Sequence, residues 1–483
     1  AQRFLLDIRG GAGVKSSPYA YYRDNAEMIR AFGEGNLLKN TLAIAEMVTP
    51  YTLGSRQPRL AASPIERGRE PRDVMRDLAW RGLATRLGCR ADDFPFAYEM
   101  RMDYELRVIA RMSEQLQAPF ERYLLILADL AAFARKAGIR YGSRGSAAGS
   151  LVCWALAISQ LDPVEHDLYF ERFLNPDRVE MPDIDLDFAD DRRDEVFAYI
   201  RDTYGVEQVA HIATFGQIGA RQALRDGARL VRDHLAGPYL EVGDHLAGLI
   251  PHAANEITLD EVLADASSML NQETIVSPDA AAVVDAARKI AGRFRGNGTH
   301  AAGVVIADAP LHQIAPLMRV SKPDESVIKQ QVQYEMGWLE KIGLLKLDVL
   351  GLAELAKFEH AVNLIERQTG ARPDLERLPM DDPHVWRTLH SGDTLGLFQL
   401  GGASMTRALQ AIAPNDLSEL AMLLAAYRPG AMANVDLIAA RKAGREPMAS
   451  IHPRLDAILE PTFGVPVYQE QLIDIFVQAA GMS

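Results

Sequence analysis

The stretch VEMPDIDLDFADDRRDEV, residues 179–196, sets three carboxylates at every second position, Asp183, Asp185 and Asp187, with Ile184, Leu186 and Phe188 between them. In a β-strand alternate side chains share a face, so this spacing predicts a strand that presents the three acids together and packs the apolar side chains behind them. Clustered carboxylates repel one another and desolvate poorly unless a cation neutralises them. A hard divalent ion such as Mg2+ is the natural partner, because it keeps positions open for water and phosphate. Two other readings of the spacing stay open. A DxDxD run also opens an EF-hand calcium loop, although Phe188 stands at the sixth position, where that loop needs Gly, and Asp194 at the twelfth, where it has Glu. An ordinary edge strand with its charges in solvent has the same pattern.

A glycine-rich segment precedes the acids. YGSRGSAAGS, residues 141–150, offers Gly142, Gly145 and Gly149 for close backbone approach, hydroxyls at Ser143 and Ser146, and a guanidinium at Arg144. It is expected to follow a short strand and to lead into an apolar helix beginning near Ala147, the arrangement that suits a phosphate. It matches neither the P-loop nor the GxGxxG pattern, and a tight turn with small residues for helix packing is the plain alternative. A further acid, Asp348, lies among leucines in LLKLDVLGL, residues 344–352, where a lone carboxylate is costly unless paired or bound to metal. It either completes the acid cluster or caps a helix. Lys346, two residues earlier, would share its strand face.

The 483 residues are 48% hydrophobic and 24% charged, enough for several cores, with roughly three or four domains expected at ordinary domain size. The net charge of −13 argues against a general nucleic-acid coat but leaves room for a local basic groove. Arg221, Arg225, Arg229 and Arg232 recur at helical spacing and predict such a face, or a merely solvated one. No apolar run of about 18 residues occurs, and no secretory h-region stands at the start. Cys89 and Cys153 lack metal-ligand spacing, which suits a cytoplasmic location without disulfides. Helical patterns are expected before residue 50, a proline-punctuated linker over 49–71, and a helical block from Pro71 to Ala137 broken near residues 90–95. A mostly helical, Arg-dotted block is expected from Thr214 to Gly298, strands at AAGVVIAD and IGLLKLDVLGL, and helices from Leu352 onward.

Six segments in register carry a resemblance: residues 142–188, TFGQIGARQALRDGARL (214–230), HAAGVVIA (300–307), GLLKLDVLGL (343–352), AYRPGAM (426–432) and FGVPVYQEQ (463–471). In this order they resemble the C-family of bacterial replicative DNA polymerases, the alpha subunits of DNA polymerase III. The resemblance implies an α+β multidomain fold: a palm of the DNA polymerase beta-like nucleotidyltransferase type, a helical thumb and partial helical fingers. It divides the chain into the end of a PHP domain (1–50), palm (51–214 and 300–353), thumb (215–299) and incomplete fingers (354–483). It makes Asp183, Asp185 and Asp348 the catalytic acids, holding two Mg2+ ions, with Asp187 and Lys346 in support. Arg144, Gly145 and Ser146 would hold the triphosphate of the incoming deoxynucleotide. The arginines at 221, 225, 229 and 232 would meet DNA phosphates. The implied partners are primer–template DNA and deoxynucleoside triphosphates, and in full-length relatives a sliding clamp and other replicase subunits; no membrane is involved.

Three departures qualify the match. Gly401 in FQLGGASM (398–405) stands where the family has an acid, and EQLQAPFERYLLI (114–126) lacks the family's aromatic-glycine pattern. No histidine precedes His166, so the PHP metal cluster and any exonuclease it carries are not represented. The chain is accordingly expected to be an internal piece that ends before the basic part of the fingers and extends primers poorly by itself. The competing readings are a non-catalytic DNA-binding fragment, an error-prone C-family paralogue, and a nucleotidyltransferase that uses no template.

Overall fold

The computed structural model describes residues 24–33, 35–49, 57–90, 93–175, 181–182, 184–250, 257–375, 378–428, 430–448, 450 and 452–482. Seven strands are found among them: β1 (Tyr141–Arg144), β2 (Asp185–Ala189), β3 (Val209–Gln217), β4 (Phe294–Ile306), β5 (Leu317–Arg319), β6 (Gln330–Val332) and β7 (Lys346–Leu352). The chain divides into two compact units, one of Ala1–Ala62, Leu116–Ala118 and Phe197–Asp348, the other of Ser63–Gln115, Pro119–Val196 and Val349–Ser483.

In the first unit β3 runs antiparallel to β4 and parallel to β6, β5 is antiparallel to β6, and the first residues of β7 are antiparallel to β4, with Gly303 opposite Asp348. Ala210, Ile212, Val305 and Val332 from these strands share a core with Leu311, Leu339 and Leu344. The β3–β4 register shifts between His211 and Ala213. In that bulge the His300 ring accepts the amides of Gly303 (2.7 Å) and Ala302 (3.3 Å) on Nδ1, so this histidine caps a turn. The helices Ala220–Leu230, Tyr239–Gly248, Leu259–Ala264, Met269–Val276 and Pro278–Ile290 form a separate cluster around Leu224, Leu246, Leu270 and Val283. Thr258, Ser268 and Ser277 cap the last three of them. The block expected to be mostly helical thus has strands at both ends. Gly216, Gly296 and Gly298 weaken the local strand signal there, and pairing between β3 and β4 supplies what propensity does not.

The second unit carries three long helices, Pro71–Leu87, Phe96–Leu116 (whose last residue belongs to the first unit) and Glu121–Ala137. The first ends at Gly88 in left-handed conformation, close to the expected break. A second break, unexpected, falls at Gln117 and Pro119, where proline cannot continue the hydrogen-bond ladder. Glu121–Ala137 is apolar almost all round and lies inside the unit, with Leu124, Leu125, Leu130 and Ala131 fully buried. Gly138 closes it and turns the chain into β1, which pairs antiparallel with β2. From Ala353 onward the unit is helical, and Leu409, Leu423, Ala426 and Ile438 centre a further core. Among the described residues no helix is long and apolar enough to cross a membrane.

Candidate active site

β2 shows the alternation its sequence predicts. Ile184, Leu186 and Phe188 are fully buried, and Asp185 lies half-buried on the other face of the strand. Asp187 is buried as well, and it is neutralised from the neighbouring strand. Arg144 donates from Nη2 to Asp187 Oδ1 at 2.8 Å, and its Nε pairs with Oδ2. The register sets Arg144 directly opposite Asp185 and Gly142 opposite Asp187, so this forked pair runs diagonally across β1 and β2. The hydrogen bond to Asp187 holds the guanidinium above its ordinary value, and the charge of Asp185 adds to that. A paired strand with a buried acid is neither an EF-hand loop nor an edge strand with all charges in solvent. Asp183 lies outside the described residues.

After β1 the chain turns through Gly145–Gly149, a 3-10 turn that opens with Gly145 at φ 80°, a conformation that favours glycine. A Cβ on Gly149 would stand 2.6 Å from the Tyr169 carbonyl oxygen. The following helix is Leu151–Ala155, later than the expected start at Ala147, because the small residues are spent in the turn and Ser150 is the cap, accepting Cys153 N at 3.1 Å. Gly145 is exposed and Ser146 half-buried. Two residues that hold this turn escaped the sequence reading, Arg101 and Glu105. Their signal is an acid on the apolar face of a helix: Glu105 falls in phase with Met102, Ile109 and Met112, all buried.

Asp348, on β7, is buried, and Lys346 approaches its Oδ2 at 2.7 Å from the same strand face. Its Oδ1 is buried and, among the described residues, has no hydrogen-bond partner. Because β7 continues to Leu352, which itself precedes the next helix, Asp348 caps nothing. An orphaned, buried carboxylate oxygen is costly as it stands and has the hard-donor chemistry that suits Mg2+. Among the described residues, no group of three or more His, Cys, Asp or Glu side chains stands together as a metal cluster.

The arginines at helical spacing are less free than the sequence implies. Arg221 donates to the Ile250 carbonyl at 2.8 Å, Arg225 pairs with Asp244 at 2.6 Å, and Arg229 lies 3.7 Å from Asp226. Arg232 is not on their helix, which ends at Leu230; it sits in the 3-10 turn that follows. In the FGVPVYQEQ segment Gln471 is structural: its Oε1 accepts the amides of Val467 and Tyr468 and its Nε2 donates to Thr462. A cavity of about 790 Å³ in the second unit is lined by Arg86, Arg140 and Arg372 but by none of the acids of β2. Three of its five arginines are committed, Arg86 to the Ser159 carbonyl and Arg140 and Arg372 to Glu359, and no strand acid faces it, so the strand acids and the turn remain the better candidate.

The family described as bacterial DNA polymerase III alpha NTPase domain matches residues 73–351, and the one described as bacterial DNA polymerase III alpha subunit finger domain matches residues 354–483. DNA polymerase III subunit alpha of Caulobacter vibrioides is 37% identical over 489 residues, aligning 99% of this chain with 41% of its own length. The protein of the same name from Bacillus subtilis is 40% identical over 464 residues, 96% of this chain and 39% of its own. That of Mycobacterium tuberculosis is 36% identical over 483 residues, 96% of this chain and 39% of its own. The chain spans about two fifths of the length of these relatives. With both family matches and these relatives in agreement, the chain belongs to the bacterial DNA polymerase III alpha-subunit family.

Proposed function

We propose that this chain carries the catalytic palm of a DNA-templated DNA polymerase, which joins a deoxynucleoside triphosphate to a primer 3′-hydroxyl and releases pyrophosphate. The observation that carries the reading is the β1–β2 register: it sets Arg144, at the mouth of the glycine-rich turn, opposite Asp185, so a phosphate-binding turn and a strand acid are neighbours. In this reading Gly145 and Ser146 receive the triphosphate with Arg144 beside them, and Asp187 fixes the guanidinium. Asp183, Asp185 and Asp348 are the metal-binding acids, and the orphaned Asp348 Oδ1 supports that role. Mg2+ ions bound there supply the Lewis-acid chemistry that eases deprotonation of the primer hydroxyl and departure of pyrophosphate. Lys346 balances the Asp348 charge. Template pairing, rather than side chains that read bases, selects the nucleotide.

The same reading takes residues 51–214 and 300–353 as palm, 215–299 as a thumb that meets DNA phosphates, and 354–483 as fingers. The partners are primer–template DNA and deoxynucleoside triphosphates and, for the whole protein, a sliding clamp and other replicase subunits. The test is incorporation on a primed and an unprimed template with each nucleotide type. Slow extension that needs a primed template, deoxynucleotides and Mg2+, and stops with a chelator, is the expected result. Addition without a template would overturn the assignment in favour of a template-free transferase.

A further inference from the structure

Arg101 and Glu105 lie one turn apart on the Phe96–Leu116 helix. Glu105 is fully buried, and both of its oxygens are used. Oε1 accepts Arg101 Nε at 2.7 Å and the Leu151 amide at 2.9 Å; Oε2 accepts the Ser150 hydroxyl at 2.8 Å and the Val152 amide at 3.0 Å. Arg101 in turn donates from Nη2 to the carbonyls of Gly149 (2.8 Å) and Leu168 (2.9 Å). Burial pushes the Glu105 carboxyl above its ordinary value, while the amides of Val152 and Leu151 and the Arg101 guanidinium oppose that rise. Four donors leave no lone pair of the carboxyl suited to a proton, so the ionised form matches this site.

The turn these groups hold is Gly-Ser-Ala-Ala-Gly, residues 145–149, which has no side chain larger than a hydroxymethyl with which to anchor itself. Its position depends on backbone bonds. Arg101 holds its last carbonyl, and Glu105 holds the cap and the first two amides of the helix beyond it. We propose that Arg101 and Glu105 are positioning residues of the triphosphate turn: they fix Gly145 and Ser146 in the conformation that receives the nucleotide, and touch neither nucleotide nor DNA themselves. This rests on the reading of the turn as the triphosphate site.

Replacing Glu105 by Gln keeps the shape but turns one acceptor into a donor that faces donors. Replacing Arg101 by Lys keeps a charge for Glu105, yet one ammonium cannot reproduce the planar fork that spans Glu105, Gly149 and Leu168. The experiment measures KM and kcat for a deoxynucleotide, the Kd for primer–template by fluorescence anisotropy, and Tm. Deoxynucleoside triphosphate binding is also titrated directly, with Ca2+, on a primer–template ending in a dideoxynucleotide. With charged hydrogen bonds at stake, Glu105→Gln is expected to raise KM and the nucleotide Kd by about tenfold or more, leaving DNA affinity unchanged. Arg101→Lys is expected between wild type and Arg101→Ala. Folded variants with unaltered nucleotide affinity would overturn the proposal. So would a fall in Tm and DNA affinity with KM unchanged, which is a purely structural role. If the wild type binds the triphosphate without extending primers, the polymerase reading fails for this chain while the Glu105→Gln titration still decides the inference. If the wild type does not bind the triphosphate, the turn is not its site and the inference falls with that reading.

Discussion

Asp185 and Asp187 stand two residues apart on β2, and their surroundings give them different work. Asp187 is buried under the forked Arg144 pair, whereas Asp185 faces Arg144 across the strand and stays half-buried. Asp187 is thus neutralised by Arg144, and in the reading proposed above it supports that arginine rather than holding a metal ion. The two ends of this pair are unequal, since the Arg144 side chain is 49% exposed and that of Asp187 only 4%. Removing the arginine strands a buried carboxylate, while removing the acid leaves a cation that reaches water. Arg144→Ala should accordingly cost about 2 kcal/mol of stability and Asp187→Asn about 1, discounted for the solvent that screens Arg144, as read from denaturant unfolding. Equal losses would contradict this asymmetry. Cys153 offers a check on burial: it is fully buried, which pushes its thiol up to about 12, and Cys89 is only half-buried. Because a raised thiol pKa leaves almost no thiolate at pH 8, iodoacetamide should label Cys89 in the native protein and Cys153 only after denaturation.

At the scale of elements, glycines decide how closely parts of the second unit approach. A Cβ on Gly82 would stand 2.0 Å from the Ala155 carbonyl oxygen, where the helix Pro71–Leu87 meets Leu151–Ala155, and Gly149 faces Tyr169 almost as closely. Both contacts are with backbone, which cannot step aside. Gly82→Ala and Gly149→Ala should each lower stability by about 2 kcal/mol or more, whereas Gly68→Thr, in open space, would fail only through its left-handed φ. In the Ala220–Leu230 helix the ion pair between Arg225 and Asp244 keeps a cation occupied. If this helix faces DNA, Asp244→Asn should tighten primer–template binding by roughly two- to fivefold at low salt and less at high salt. Weaker binding on Asp244→Asn would place DNA elsewhere. Much of this level was legible in sequence. Alternation at 183–188 announces β2, and Val304, Val305 and Ile306 announce β4, but β3 and the glycine-rich half of β4 depend on each other across a long separation. Glu105 was hidden for the same reason, because its partners at 150–152 are distant in the chain.

For the whole molecule, a net charge of −13 and a role at DNA are compatible only if cations are placed locally, and two such cations, Arg144 and Arg225, are each paired with a carboxylate. The sequence made the acids, the turn and their order along the chain legible, because alternation and glycine content are local properties. It did not show which acids would be neutralised by arginine and which left with an open oxygen, since that is decided by register and burial. Asp348 is the clearest case: the text around it suits a cap as well as a ligand, and its place within β7 removes the cap, while the ligand role is the proposal that its Oδ1, unpartnered among the described residues, supports. The decisive measurement is single-turnover incorporation of one deoxynucleotide on a primed template by the wild type, Asp185→Ala and Asp348→Ala, with primer–template affinity measured in parallel. The account predicts that each substitution slows incorporation by about a thousandfold or more, as loss of metal-held charge stabilisation implies, with DNA affinity unchanged. Incorporation at the wild-type rate by either variant would contradict it.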